Sequence, residues 1–341
     1  MEYDVTIGIP VFQSETCILR ALESALSQSY ASIEFLIVDD CGMDHSMDII
    51  ANLQETHKRG KEIRIIHHDK NLGVSVSRND IIREARGEYI YFMDSDDMIA
   101  DNAISLLMEN VLRYQAEIAV GSYEKIELSG KRIVYQYPNL LFLSEDQLAS
   151  FAFRKYAGFQ VSSCNFLVKS SILRDYGLWF VNASYWEDMA FTYQLVTYVT
   201  RAVLLSDITY YYYCRTKSLS HYQERSIIAK DEVLKNARVV HYLKKYSYSL
   251  SNKSYYPNWC YNLLMTDFYI VCNVLKRRHV IFPRFTDREL REMMLHPASF
   301  KQIYYFRQLR LKNFFFFWLG KLPSILCVLI IMFIGKVKKL I

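Results

Sequence analysis

Three carboxylates within four residues, Asp94-Ser95-Asp96-Asp97, are the densest chemistry in this 341-residue chain. They follow Tyr89 to Met93, a short apolar and aromatic run that reads as a buried strand. Like charges this close raise one another's pKa unless a cation sits among them. Hard oxygen ligands suit Mg2+ or Mn2+, and an open α/β sheet binds ligands at the carboxyl ends of its strands. The plainer alternative is a solvated turn in which Asp97 or Asp101 caps the next helix. A second acidic pair, Asp39-Asp40, ends the apolar run Ile33 to Val38. A third, Glu187-Asp188, precedes Phe191, Leu195, Val196 and Val199 at helical spacing. By itself that third pair reads as a helix start, where acidic residues favour the dipole.

These carboxylates need elements to position them. Strands are predicted at Asp4 to Pro10, Ile33 to Val38, Ile63 to His67, Tyr89 to Met93 and Glu117 to Val120. Between them lie helices opened by Ser14, by Asp44 or Ser46, and by the Asn71-Leu72-Gly73 turn, with another from about Asn102 to Tyr114. Alternation with short links over residues 4–121 argues for βαβ units, a parallel sheet and an α/β fold. Strand one runs into Pro10-Val11-Phe12-Gln13 with no glycine-rich phosphate loop, so a nucleotide would be held by metal and side chains. Further on, a hairpin is expected around Ser129-Gly130, a helix over 144–155, a strand at Phe166 to Val168, a short helix over 170–176 and a strand from Leu204 to Cys214. A polar loop, Arg215 to His221, follows it. After that only helices are predicted, over 226–246, 258–278 and 286–295.

Composition is that of a packed globular protein, 51% hydrophobic and 23% charged. Seven cysteines, an odd number with no CxxC spacing, read as reduced thiols of a cytosolic protein, and with a Met-Glu-Tyr-Asp start no secretory signal is expected ahead of the first strand. The net charge of +5 is uneven: residues 276–341 hold 14 Lys/Arg and 3 Asp/Glu, while the rest is acidic. The same tail is apolar from Phe314 to Ile334, which points to an anionic membrane surface and away from nucleic acid. Lys321 and Pro323 break that stretch, so two interfacial segments fit better than one span. The alternative is a buried C-terminal helix that covers the domain.

Three blocks together resemble family 2 glycosyltransferases of the GT-A fold. They are Val5 to Phe12; Phe35 to Asp40 with Asp44; and Asn71-Leu72-Gly73 through Ser77-Arg78-Asn79 to Gly87-Glu88-Tyr89 and Asp94 to Asp97. The chain departs at Gln13, where Asn is common, and at Cys41-Gly42-Met43, where Gly-Ser-Thr is common. The resemblance implies a Rossmann-like, mostly parallel central sheet flanked by helices. It implies an inverting transfer of a sugar from a nucleotide-diphosphate donor, a UDP-sugar, to an acceptor hydroxyl. It places Asp96 on the metal with Asp94, Asp97 and His221, Asp94 also near the ribose, and Asp40 near the base with Asp39 close by. Pro10, Val11, Phe12, Arg78, Ser95 and Arg215 would complete the donor site, the loop after Arg215 folding over the pyrophosphate. Asp188 would be the general base, with Glu187 second.

The expected organisation is a catalytic domain over 1–221, with a nucleotide-binding half to about 121 and an acceptor-binding half from about 122. A helical extension over 222–312 and a membrane-associating segment over 313–341 follow. Resemblance and tail together suggest a glycan or lipid-linked acceptor at the cytoplasmic face of the cell membrane, in surface-polysaccharide assembly. A sugar nucleotidyltransferase or a non-catalytic nucleotide-sugar-binding membrane protein are the alternatives.

Overall fold

The computed structural model describes residues 2–154, 158–183, 186–215 and 227–341. Its chain forms two compact units, the first built from residues 1–148, 158–182 and 187–218, the second from 149–157, 183–186 and 219–341.

The first unit is an α/β layer structure. In chain order it runs β1 (Tyr3–Val11), α1 (Ile18–Leu26), β2 (Ile33–Asp39), α2 (Ser46–Thr56), β3 (Ile63–His67), α3 (Val74–Glu84), β4 (Gly87–Phe92), β5 (Met98–Ile99) and α4 (Ala103–Tyr114). Then come β6 (Ile118–Ile126), β7 (Arg132–Tyr135), β8 (Leu140–Phe142), α5 (Gln147–Ala152, which belongs to the second unit from residue 149 on), β9 (Phe166–Lys169), α6 (Ser170–Asp175), α7 (Glu187–Tyr198) and β10 (Ala202–Tyr213). The sheet order is β3-β2-β1-β4-β9-β6-β10-β5, with β7 on β6 and β8 on β10. The first four strands are parallel, as their alternation with helices requires. The parallel series does not continue straight to β6. β9 lies between β4 and β6, antiparallel to both, because Phe166, Leu167 and Val168 are apolar enough to be buried on both faces. β1 lies between β2 and β4, and Val5, Ile7 and Ile9 are wholly buried. Gly8 lets α3 approach: a Cβ there would meet Ile81 Cγ2 at 2.4 Å. Below the strand ends, Phe180 stacks on Phe191 with centroids 4.0 Å apart, and Phe92 meets both edge-on.

Two expected caps are placed differently. Asn102, not Asp97 or Asp101, is the N-cap of α4, and it makes no side-chain cap bond. Ser14 does not cap with its side chain; its carbonyl receives Cys17 N–H and Ile18 N–H, and its hydroxyl turns inward.

The second unit is helical, with α8 (Lys230–Tyr246), α9 (Tyr256–Lys276), α10 (Asp287–Met293), α11 (Phe300–Tyr304), α12 (Arg310–Lys321) and α13 (Ser324–Val337). A short two-stranded pair, β11 (Ile228–Ala229) and β12 (Ile281–Phe282), joins them. Trp259 is wholly buried and donates to Ser247 Oγ at 2.8 Å. Lys244 pairs with buried Asp267 and donates to the carbonyls of Met293 and Leu295, so it also closes the end of α10. Thr286–Glu289 and Ser299–Gln302 form capping boxes on α10 and α11. All seven cysteines are free thiols. Among the described residues no helix is long and apolar enough to cross a membrane, because the apolar tail breaks into α12 and α13 at Leu322-Pro323.

Candidate active site

The strand β4 ends in the acidic turn that the sequence singles out. Asp94, Asp96 and Asp97 present carboxylate oxygens within 4.8 Å of one another. Their environments differ. Asp97 is buried and accepts from Tyr210 Oη at 2.7 Å and Tyr213 N–H at 2.8 Å. Asp96 pairs with Arg215, while Arg20 donates to the Asp96 carbonyl at 2.9 Å and lies over the Tyr213 ring. Asp94 is the most open of the three side chains, at 31%. Burial, and then Asp94, push the Asp96 carboxyl above its ordinary range, with Arg215 opposing. Burial and the charges of Asp96 and Asp94 push Asp97 well above it.

The ends of β1 and β2 meet this turn. In the parallel register Pro10 pairs with Val38 and Val11 with Asp39, and Asp40 N–H donates to the Val11 carbonyl. Phe12 is 41% exposed. Ser95 Oγ and Ser14 Oγ are 2.6 Å apart, which ties the chain after β1 to the acidic turn. Asp39 accepts from Cys41 N–H and pairs with His67 Nδ1 at 3.0 Å. Asp40 is buried, and both its oxygens are engaged: Leu72 and Gly73 N–H donate at 2.7 and 2.9 Å, and His68 Nδ1 lies at 2.8 Å. The contacts shown for Asp40 therefore hold the Asn71–Gly73 turn that starts α3. His68 also reaches Asp80 at 2.9 Å. Burial alone would lower its pKa, but the two carboxylates raise it.

Arg78, on α3, is the hub. One guanidinium nitrogen donates to Glu187 Oε1 and Asp188 Oδ1, both at 3.0 Å; the other donates to Asp94 Oδ1 at 2.9 Å. Arg78 is buried, lies 5.3 Å from the Phe180 ring centroid, and its Nε makes no hydrogen bond. Its contacts shown here are with the protein's own carboxylates. Next to it, Asn79 exchanges two hydrogen bonds with the Phe180 backbone, which pins the chain ahead of α7. Ser163 Oγ donates to Asp188 Oδ1 at 2.7 Å. The Asp188 side chain keeps 24% exposure against 10% for Glu187, so Asp188 is the member of the pair that faces solvent. Burial raises both carboxyls. Glu187 reaches about 7 with Asp188 as second cause, and Arg78 opposes the rise in each. Trp186, just before α7, holds a left-handed backbone (φ 65), a strain of order 1 kcal/mol that clusters at functional sites.

A divalent cation suits the acidic turn. Three hard oxygen donors converge there, and two of them are held protonation-prone by mutual repulsion and burial. His221 lies outside the described residues, as does the loop beyond Arg215. Ser163, Asn79, Tyr210 and Arg20 are site residues that sequence reading missed. Only Asn79 had a signal, its place beside Arg78 in the Ser77-Arg78-Asn79 block.

Comparison with known proteins fits this geometry. The chain is 24% identical over 222 residues to the glycosyltransferase GlyG of Streptococcus pneumoniae serotype 4, covering 63% of this chain and 72% of that one. It is 32% identical over 146 residues to the succinoglycan biosynthesis protein ExoO of Rhizobium meliloti, covering 43% of this chain and 38% of that one. An uncharacterized glycosyltransferase of Haemophilus influenzae is 32% identical over 129 residues, covering 38% of this chain and 50% of that one. The chain thus spans half or less of the last two relatives. In fold it resembles residues 1-349 of S. aureus TarS, crystallised with UDP-GlcNAc, at a TM-score of 0.59 and 15% identity, covering 93% of this chain and 90% of that one. The sequence profile described as Glycosyl transferase family 2 matches residues 6–177. With a GT-A-like sheet and an acidic turn at its carboxyl edge, this chain belongs to glycosyl transferase family 2 and is a glycosyltransferase.

Proposed function

We propose that the enzyme transfers a sugar, with inversion, from a UDP-sugar to an acceptor hydroxyl on a glycan or lipid-linked carrier in cell-surface polysaccharide synthesis, at the cytoplasmic face of the membrane. The observation that carries the reading is the Arg78 guanidinium, which grips Asp94 on one side and Asp188 on the other. It sets a donor-side carboxylate and a candidate base at a fixed separation, which is what direct displacement needs.

In this reading residues 1–221 do the chemistry and 222–341 carry the helical extension. Asp188, oriented by Ser163 and Arg78, accepts the proton of the attacking hydroxyl. Its raised pKa brings it nearer to neutrality, where a base exchanges protons best. Glu187, more buried, supports it. Asp96 with Asp94 and Asp97 would hold Mg2+ or Mn2+, and such a cation would offset the charge on the diphosphate leaving group. Asp39, Pro10, Val11, Phe12 and Ser95 would border the nucleotide, and Arg215 the pyrophosphate. The UDP-GlcNAc held by the S. aureus neighbour makes UDP-sugars the first donors to test.

The test is a donor screen with Mg2+ or Mn2+, followed through released UDP and the anomeric configuration of the product. Asp96→Ala and EDTA should each abolish metal-dependent donor binding and transfer. Intact transfer under both conditions would remove the metal from the assignment, and retained configuration would remove the single-base route.

A further inference from the structure

We propose that the free faces of α12 and α13 form a docking surface for an anionic lipid bilayer, with both helices lying in the membrane plane. The inference rests on the proposed function only for the use of such a surface, access to a lipid-linked acceptor. Its physical argument concerns the second unit alone.

The sequence sets up the chemistry. Residues 293–341 contain eight Lys/Arg and no Asp or Glu, and all eight cations are exposed. The fold then divides the apolar tail in two. Phe316, Leu319, Cys327, Val328 and Ile331 are buried. Gly320 and Gly335 let the helices seat closely: a Cβ would lie 2.5 Å from the Met294 carbonyl in the first case and 3.2 Å from Cys272 Sγ in the second. These residues are core. Their neighbours are not. On α12, Leu311, Phe315 and Trp318 recur at i, i+4 and i+7 and are 81%, 44% and 57% exposed. On α13, Ile325, Leu329 and Phe333 recur every four residues and are 67%, 55% and 70% exposed. Both helices pack on α9 and α10, so both turn these residues away from the same layer.

Rows of exposed aromatic and aliphatic side chains like these two mark an interaction surface. Charge selects the occupant. A second copy docked through its own residues 293–341 would bring the same cations with no Asp or Glu to meet them, which opposes self-association through this face. An anionic headgroup layer meets the cations, and the acyl boundary beneath takes the apolar row; Trp318 suits that boundary. Length rules out crossing. The 12 and 14 residues of α12 and α13 extend about 18 and 21 Å, against about 30 Å of hydrocarbon.

Vesicle flotation of the full chain tests this, with phosphatidylcholine vesicles compared to vesicles containing 30% phosphatidylglycerol. The wild type should bind the anionic vesicles. The triple variant Trp318→Glu, Ile325→Glu, Phe333→Glu should lose at least about 100-fold in affinity, since three apolar side chains forgo their burial in the bilayer. Neutralising Lys336, Lys338 and Lys339 to Gln should cost about 100-fold on anionic vesicles, at about fivefold per lysine, and little on neutral ones. As a readout that needs no disruptive variant, brominated lipid should quench wild-type fluorescence more than that of Trp318→Phe. Equal binding by wild type and the Glu triple, or equal quenching, would overturn the proposal. So would a wild-type dimer that the Glu triple dissociates while vesicles are ignored. Donor hydrolysis in solution is read in parallel: active enzyme that ignores vesicles sinks the docking surface alone, and inactive enzyme that binds them supports it while sinking the transfer reading.

Discussion

The central sheet carries a buried polar cluster at each end of its parallel strands, and the two are built on opposite principles. At the amino end Glu34 accepts from Thr6 Oγ1 and Arg64 Nε, both at 2.7 Å, and from Arg86 N–H at 3.0 Å. The one buried carboxylate meets a guanidinium, which reaches the exposed Glu84 only at 3.8 Å, and its remaining acceptor capacity is filled. At the carboxyl end, among the described residues, Asp94, Asp96, Glu187 and Asp188 pair with only two guanidiniums, Arg78 and Arg215; Asp97 accepts from Tyr210 and Tyr213 instead, and Arg20 reaches only the Asp96 carbonyl. A closed cluster is structure, because a buried charge is tolerable only when paired and hydrogen-bonded. A cluster left with surplus negative charge is costly to fold, and its raised carboxyl pKa values are the signature of a site kept for another purpose.

The comparison can be broken by substitution. Asp188→Asn keeps the shape and removes the base, so turnover should fall about 10²–10⁴-fold while donor affinity measured by calorimetry stays within a few-fold. A large loss of donor affinity with near-normal turnover would make Asp188 structural instead. Arg78→Met strips the counter-charge from buried carboxylates and should cost about 3–5 kcal/mol of stability in denaturant titration. Because Arg78 opposes the rise at Asp188, surviving activity should show its acid limb at higher pH than the wild type; an unmoved limb would mean that Arg78 does not tune the base.

Two smaller effects sharpen the contrast. Glu187 has a folded pKa of about 7, raised from an ordinary 4.5 by burial and Asp188. Between those values the folded state binds more protons than the unfolded one, so stability should fall as pH rises through that window, by up to about 3 kcal/mol. Glu187→Gln should flatten this slope, as followed by thermal melts across pH. Glu34→Gln should cost about 1–3 kcal/mol of stability by mispairing a buried acceptor, with kcat unchanged; a change in kcat would mean that the two ends are not separable.

Much of this was legible before any coordinates. Strand alternation over the first 121 residues gave the parallel half of the sheet, because burial on both faces demands apolar runs and each crossover demands a helix. The acidic turn was visible because three carboxylates after an apolar strand have few structural uses. The break of the tail into two helices followed from Pro323, which has no N–H to give.

Other features depend on contacts far apart in sequence, and no local pattern carries those. The insertion of β9 between β4 and β6 is a choice among apolar strands of similar character. The bond from Arg78 to Asp188 joins residues 110 positions apart, and Ser163 reaches the same carboxylate from a stretch with no motif. The tail shows the division most plainly. Sequence determined that Phe314 to Ile334 is apolar and flanked by cations, since that is composition. Which of its side chains are core and which are free was decided by the packing of α12 and α13 on α9 and α10, because a helix that is apolar nearly all round has no face until a neighbour takes one.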